Sequence, residues 1–161
     1  MVFKILTFLS IFIMTSGVFL EFSIVSDESS WVYVASTLSE GNAAIYTTQG
    51  GWATKLLDAS WIGGKNAMNV AGNSTITKFF YIAGIPESGK LSVGADDYFT
   101  TYINDKTTNC RIDSGSFTLS AGRLCDVFSY LVNGLNKIVF EVKNGGGPGG
   151  LMFRLVVTSN L

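Results

Sequence analysis

Between Leu91 and Asn104 the chain reads L-S-V-G-A-D-D-Y-F-T-T-Y-I-N, two alternating runs on either side of an acidic pair. Leu91, Val93 and Ala95 alternate with Ser92 and Gly94. Beyond Asp96-Asp97, Phe99, Thr101 and Ile103 alternate with Tyr98, Thr100 and Tyr102. A two-residue period gives a β-strand one buried face and one open face. The acidic pair interrupts the pattern, and Asn104-Asp105 closes it as a turn signal. The stretch therefore predicts two strands meeting at a polar corner.

The same reading extends along the chain. Strands are expected at Phe22–Ser26, Trp31–Ala35, Ala43–Thr48 and Thr75–Ile82, separated by Gly-, Asn- and Ser-rich turns. Gly63–Gly72 reads as a loop and Gly84–Gly89 as a turn. Cys110–Asp113 and Ser116–Leu119 read as a hairpin around Ser114-Gly115, and Ser129–Val132 as a helical turn. Asn136–Lys143 turns Ile138, Phe140 and Val142 inward; Leu151–Val157 turns Leu151, Phe153 and Leu155 inward and Met152 and Arg154 outward. After residue 17 no segment sustains the 3.6-residue helical period for three turns. The fold class is all-β, a jelly-roll β-sandwich of two antiparallel sheets forming a single domain over residues 18–161.

Composition narrows the chemistry. The 161 residues include no histidine, which excludes Ser-His-Asp and Cys-His catalysis, histidine zinc sites and histidine pH sensing. Eleven basic against twelve acidic side chains leave a net charge of −1, with no basic patch for nucleic acid. Charged residues make up 14% of the chain, below the roughly 25% usual for soluble proteins.

Lys4, the apolar run Ile5 to Met14 and the small residues Thr15-Ser16-Gly17 have the layout of an export signal over residues 1–17. The alternative is an uncleaved anchor continuing through Val18, Phe19 and Leu20 to about residue 22, and only that form would touch a membrane. Export predicts a secreted, extracellular or cell-surface location. Cys110 and Cys125 suit that compartment as a disulfide; the alternative is two buried thiols. Joined, they close a loop of ~15 residues, worth about 3 kcal/mol on the chain-entropy model. Asn73-Ser74-Thr75 is an N-glycosylation sequon.

Several blocks carry a family likeness. In order they are Asp58-Ala59-Ser60-Trp61-Ile62, Phe79-Phe80-Tyr81-Ile82, Leu91 to Asp97, Tyr102-Ile103-Asn104, Gly134 to Ile138 with Asn144, and Gly146 to Leu151. From about Trp31 to Val157 the chain resembles the galactose-binding-domain-like β-sandwich, in the form seen in sugar-binding domains of glycoside hydrolases. The resemblance implies a non-enzymatic, lectin-like module whose partner is a glycan or glycoprotein. It also implies room for a structural Ca²⁺, although no EF-hand-like spacing locates one.

Candidate ligand-binding residues are Trp52, Trp61, Asp97, Tyr98, Asn104 and Asn144. Aromatic rings suit the C–H faces of sugars, and Asn and Asp suit their hydroxyls. Each tryptophan, Trp31 included, has a competing role in the core. Trp52, after Gln49-Gly50-Gly51, is the one expected on an exposed loop. Asp96 and Asp97 form the single pair reminiscent of glycoside hydrolysis, but adjacent strand residues face opposite ways unless the corner bends. Asn144-Gly145-Gly146-Gly147-Pro148-Gly149-Gly150 lacks the Lys-Ser/Thr of a phosphate loop and reads as a hairpin connection. A different class of function also fits the low charge and apolar strands. It is a structural subunit that self-associates in an extracellular assembly, with Phe19–Val25 adding to a neighbour's sheet.

Overall fold

The computed structural model describes residues 17–161, so the leader read in residues 1–17 lies, but for Gly17, outside the described residues. Twelve strands follow in order: β1 (Phe19–Val25), β2 (Trp31–Val34), β3 (Ser39–Asn42), β4 (Ala44–Ile45), β5 (Ile62–Gly63) and β6 (Gly72–Ile82) come first. Then come β7 (Ile85–Asp96), β8 (Tyr98–Ile103), β9 (Lys106–Ile112), β10 (Arg123–Asp126), β11 (Gly134–Asn144) and β12 (Gly150–Asn160). Short 3₁₀ turns occupy Ser116–Thr118 and Phe128–Tyr130.

The strands form two antiparallel sheets. One runs β10-β7-β12-β5-β4, with β1 also paired to β12; the other runs β3-β2-β6-β11-β8-β9. Leu91, Val93, Ala95, Leu151, Phe153, Leu155 and Val157 line the inner face of the first sheet. They pack against Val32, Ile76, Ile82, Phe99, Ile103, Ile138 and Phe140 from the second. The rings of Phe140 and Phe153 meet across the layers at 4.7 Å. The alternation read in Leu91–Ile103, Asn136–Lys143 and Leu151–Val157 sets Leu91, Val93, Ala95, Phe99, Ile103, Ile138, Phe140, Leu151, Phe153 and Leu155 on the inward side, where the fold has them. The chain is an all-β sandwich of two antiparallel sheets, the fold class expected from the sequence.

Cys110 and Cys125 form a disulfide with a Cα–Cα distance of 5.5 Å. It links β9 to β10, the strands at matching edges of the two sheets, and so ties the layers along one side.

Four sequence expectations change. Gly84–Gly89 is not a turn: β7 begins at Ile85 and pairs with β12 to its end, with a bulge between Thr158 and Ser159 accommodating the irregular register. Pro86 is tolerated there because the bulge already breaks the ladder. Cys110 belongs to a strand starting at Lys106, and Ser116–Thr118 is a 3₁₀ turn, so no hairpin joins them. The strand expected at Ala43–Thr48 shrinks to Ala44–Ile45. β1 carries Phe19 to Phe22 in register with Val157 to Asn160.

The fourth change concerns Met152, expected outward and found 6% exposed. It does point away from the main core, but the segment from Tyr46 to Trp61 folds over that outer face of the first sheet. Tyr46, Trp52, Trp61 and Met152 make a second apolar cluster there. Gly94, in register with Met152, lets the segment approach: a Cβ at Gly94 would lie 2.7 Å from Thr54.

Candidate functional site

The second sheet leaves its outer face open. Residues of alternate parity to the core point outward, and strand register sets them in rows. One row crosses β2, β6, β11, β8 and β9 as Tyr33, Thr75, Glu141, Thr100 and Arg111. The next, toward the Gly145–Gly149 loop, is Asn73, Lys143 and Tyr98. On the other side lie Trp31, Thr77, Val139 and Tyr102. With neighbouring strands about 4.8 Å apart, Tyr33 and Thr100 are roughly 14 Å apart.

A groove of about 570 Å³ lies on this face, lined by Asn73, Thr75, Tyr98, Thr100, Glu141 and Lys143, with Asp113 at one end. Tyr98 is 38% exposed, and Trp31 and Tyr33 border the polar floor from β2 at 47% and 38%. The Tyr102 hydroxyl donates to Glu141 Oε2 at 2.9 Å. That carboxylate, with some desolvation, holds the Tyr102 phenol above its ordinary pKa. Lys143 Nζ sits 5.9 Å from the centre of the Tyr98 ring, close enough for a weak cation–π attraction. Exposed aromatic rings flanking hydroxyl, carboxylate and ammonium groups suit a flat, hydroxyl-rich ligand.

Of the six candidate ligand-binding residues read from the sequence, the structure brings Tyr98 to this groove, and Asn73 of the sequon lines it as well. Trp52 and Trp61 are 5% and 2% exposed, with ring centres 4.2 Å apart. The expectation of an exposed Trp52 is therefore corrected. Its loop is pinned by Ala53 and Thr54 N–H groups donating to Phe117 O and by the Thr54 hydroxyl donating to Leu119 O, which press the indole onto Met152.

Asn104 and Asn144 serve the backbone. Asn104 Nδ2 donates to Tyr130 O and to Asn136 Oδ1, while its Oδ1 accepts from Lys137 N, fixing the end of the β8–β9 hairpin. Asn144, 8% exposed, donates to Gly147 O and accepts from Gly146 N, folding the glycine-rich connection on itself. Asp97 Oδ2 accepts the Gly145 N–H at 2.6 Å and holds the same connection.

The Asp96-Asp97 corner is bent, so the two side chains come together. Burial, with a contribution from the neighbouring Asp97 carboxyl, raises Asp96 to about 6 against the opposing hydrogen bond from Trp52. Trp52 Nε1 donates to Asp96 Oδ2 at 2.7 Å. Both carboxyls thus hold loops. The cavity beside Asp96 measures about 30 Å³, too small for a sugar ring between two carboxylates. Among the described residues no three Asp, Glu, Cys or His side chains gather into a carboxylate cage of the kind that holds a structural Ca²⁺.

Sequence reasoning missed Tyr33, Thr75, Thr100, Glu141 and Lys143 as a group. Their signal was the outward half of the same alternation, which said which way each pointed but not which strands adjoined.

No protein-family model matches the chain, and no curated protein matches it. Among solved structures it is similar to the FMN-binding β-glucuronidase from Facaelibacterium prausnitzii L2-6, at 12% identity and a TM-score of 0.56 over 85% of this chain and 22% of that one. It is also similar to the Ruminococcus gnavus β-glucuronidase in complex with uronic isofagomine, at 10% identity and 0.54 over 90% and 29%. A third similarity is to a glycosyl hydrolase family 2 member from Bacteroides cellulosilyticus DSM 14838, at 18% identity and 0.51 over 84% and 20%. The chain thus spans less than a third of each of these enzymes. At these identities the likeness is one of fold.

Proposed function

We propose that this chain is a non-enzymatic carbohydrate-binding module that holds a neutral oligosaccharide in the groove on the outer face of its second sheet. The observation that carries this reading is Tyr98 exposed at a groove floored by threonines, Glu141 and Lys143, with the exposed Tyr33 next to Thr75 on the neighbouring strand. Aromatic faces supply apolar contact to sugar C–H groups, and the floor supplies donors and acceptors for hydroxyls. Two carboxylates, Glu141 and Asp113, against the single ammonium of Lys143 leave the groove net acidic and disfavour a polyanionic chain. The similar glycoside hydrolases support a carbohydrate setting, and the disulfide suits an extracellular one.

The test is a glycan array with the domain, followed by titration of each retained saccharide against wild type and the Tyr98→Ala and Tyr33→Ala variants. Selective retention lost in both variants supports the groove. Retention unchanged in both moves the site elsewhere, and a blank array removes the carbohydrate reading.

A second reading, self-association, has its own observation. Phe19, Ile85 and Asn160 share a register at one end of the sandwich, and Tyr81 and Leu135 pair near the β6–β7 turn at that end. Phe19, Tyr81, Ile85, Leu135 and Leu161 are each at least 60% exposed. An apolar end of this kind favours contact between copies. Sedimentation at rising concentration tests it: a monomer throughout rejects it.

A further inference from the structure

The sequon Asn73-Ser74-Thr75 lies in β6, in the wall of the groove itself. Asn73 is exposed and pairs across the sheet with Lys143, whose other neighbour is Tyr98. Thr75 points out of the same face two residues on, between Tyr33 and Glu141. The Asn73 carbonyl accepts from Ala35 N, which sets the backbone. No hydrogen bond to its carboxamide occurs among the described residues, and the residue is open to solvent. A sugar joined to Asn73 Nδ2 begins about two strand spacings, roughly 10 Å, from Tyr98.

We infer that Asn73 is an N-glycosylation site whose attached glycan lies in the groove and excludes an external saccharide, so that modification switches the module off. The inference rests on the groove being the saccharide site. In the transfer step the Asn73 Nδ2 forms a bond to the anomeric carbon of an oligosaccharide carried on a lipid pyrophosphate. The anomeric C–O bond to the pyrophosphate breaks, the pyrophosphate leaves with the electron pair, and a base takes the amide proton. Tethering then works by effective concentration. A sugar on a short flexible link is present on the order of mM at its own site, above any weakly binding free saccharide.

The experiment compares the full chain secreted from a eukaryotic host with the same chain made in a bacterial host that lacks the transferase. Peptide mass spectrometry reads the occupancy of Asn73. Both forms, and the secreted form after an endoglycosidase trims its glycan to one sugar, are titrated with cellotriose, maltotriose and N,N′-diacetylchitobiose. The expected result is full or partial occupancy, and binding of at least one probe by the bare form about tenfold or more tighter than by the glycosylated form, with trimming restoring part of it. An unmodified Asn73 in the secreted protein overturns the inference and leaves the groove standing. Equal affinity of glycosylated and bare forms does the same. If the bare form binds none of the three probes and nothing on the glycan array, the groove reading fails and the inference with it.

Discussion

Trp52 donates its indole N–H to Asp96 across 44 residues of chain, at 2.7 Å, and the bond fastens the loop over the outer face of the first sheet to the corner between β7 and β8. It turns two residues that look functional in sequence into a structural clamp. Trp52→Ala is therefore expected to cost about 3–5 kcal/mol of stability, as for a large buried ring, and to leave saccharide binding per folded molecule unchanged. Urea unfolding read alongside binding checks both halves; a stable variant that has lost binding would return Trp52 to the site.

Asp96 makes stability depend on pH with a definite sign. Burial, helped by Asp97, raises its folded pKa to about 6, whereas an unfolded aspartate titrates near 4. The folded state therefore binds the proton more tightly between those values, and stability falls as pH rises through that window. Thermal unfolding from pH 4 to 7 should show the decline, and Asp96→Asn should flatten it. Trp52→Phe, which removes the donor that opposes the shift, should raise the Asp96 pKa further, as read by carboxyl carbon NMR.

The disulfide joins the two sheets along one edge, with the cysteines 15 residues apart. Replacing both with serine should lower stability by about 3 kcal/mol, mainly by freeing the unfolded chain. The urea midpoint should drop, and the groove on β6, β11 and β8 should keep its binding.

Asn136 is 1% exposed and makes a dense set of bonds: it accepts from Val132 N and Asn104 Nδ2, and donates to Val132 O and Gly134 O. Asn136→Ala strands several buried backbone groups and should cost about 2–3 kcal/mol. Asn136→Asp keeps the shape but replaces the Nδ2 donor with oxygen, so it should also destabilise, more at neutral than at acid pH.

At the groove, Tyr98→Ala should weaken saccharide binding about tenfold, the size of one aromatic contact of about 1.4 kcal/mol. The ring is partly exposed, so the melting temperature should hardly move. Isothermal titration with a retained saccharide, paired with a thermal melt, separates the two effects.

Much of the sandwich is legible in the sequence because burial imposes a two-residue period on any strand with one wet face. Leu91, Val93, Ala95, Phe99, Ile103, Ile138, Phe140, Leu151, Phe153 and Leu155 could be named as inward from that period alone. The absence of histidine excluded whole classes of catalysis without any structure. The same period also fixed Tyr98, Glu141 and Lys143 as outward, half of what a site requires. Local pattern failed where distant chain came to cover a face. Trp52 sits beside glycines and reads as exposed, yet Thr54 and Asp96 draw it onto Met152. Asn104 and Asn144 read as ligand amides, but backbone groups brought close by the fold occupy them.

What the sequence determined by itself is each strand's direction of facing, set by side chains a few residues apart. What only the tertiary structure decided is which strands are neighbours. Pairing β6 with β11 and β11 with β8 joins residues tens of positions apart, through long-range hydrogen bonds and shared burial that no local window records. That pairing sets Asn73, Lys143 and Tyr98 side by side, and with them the groove.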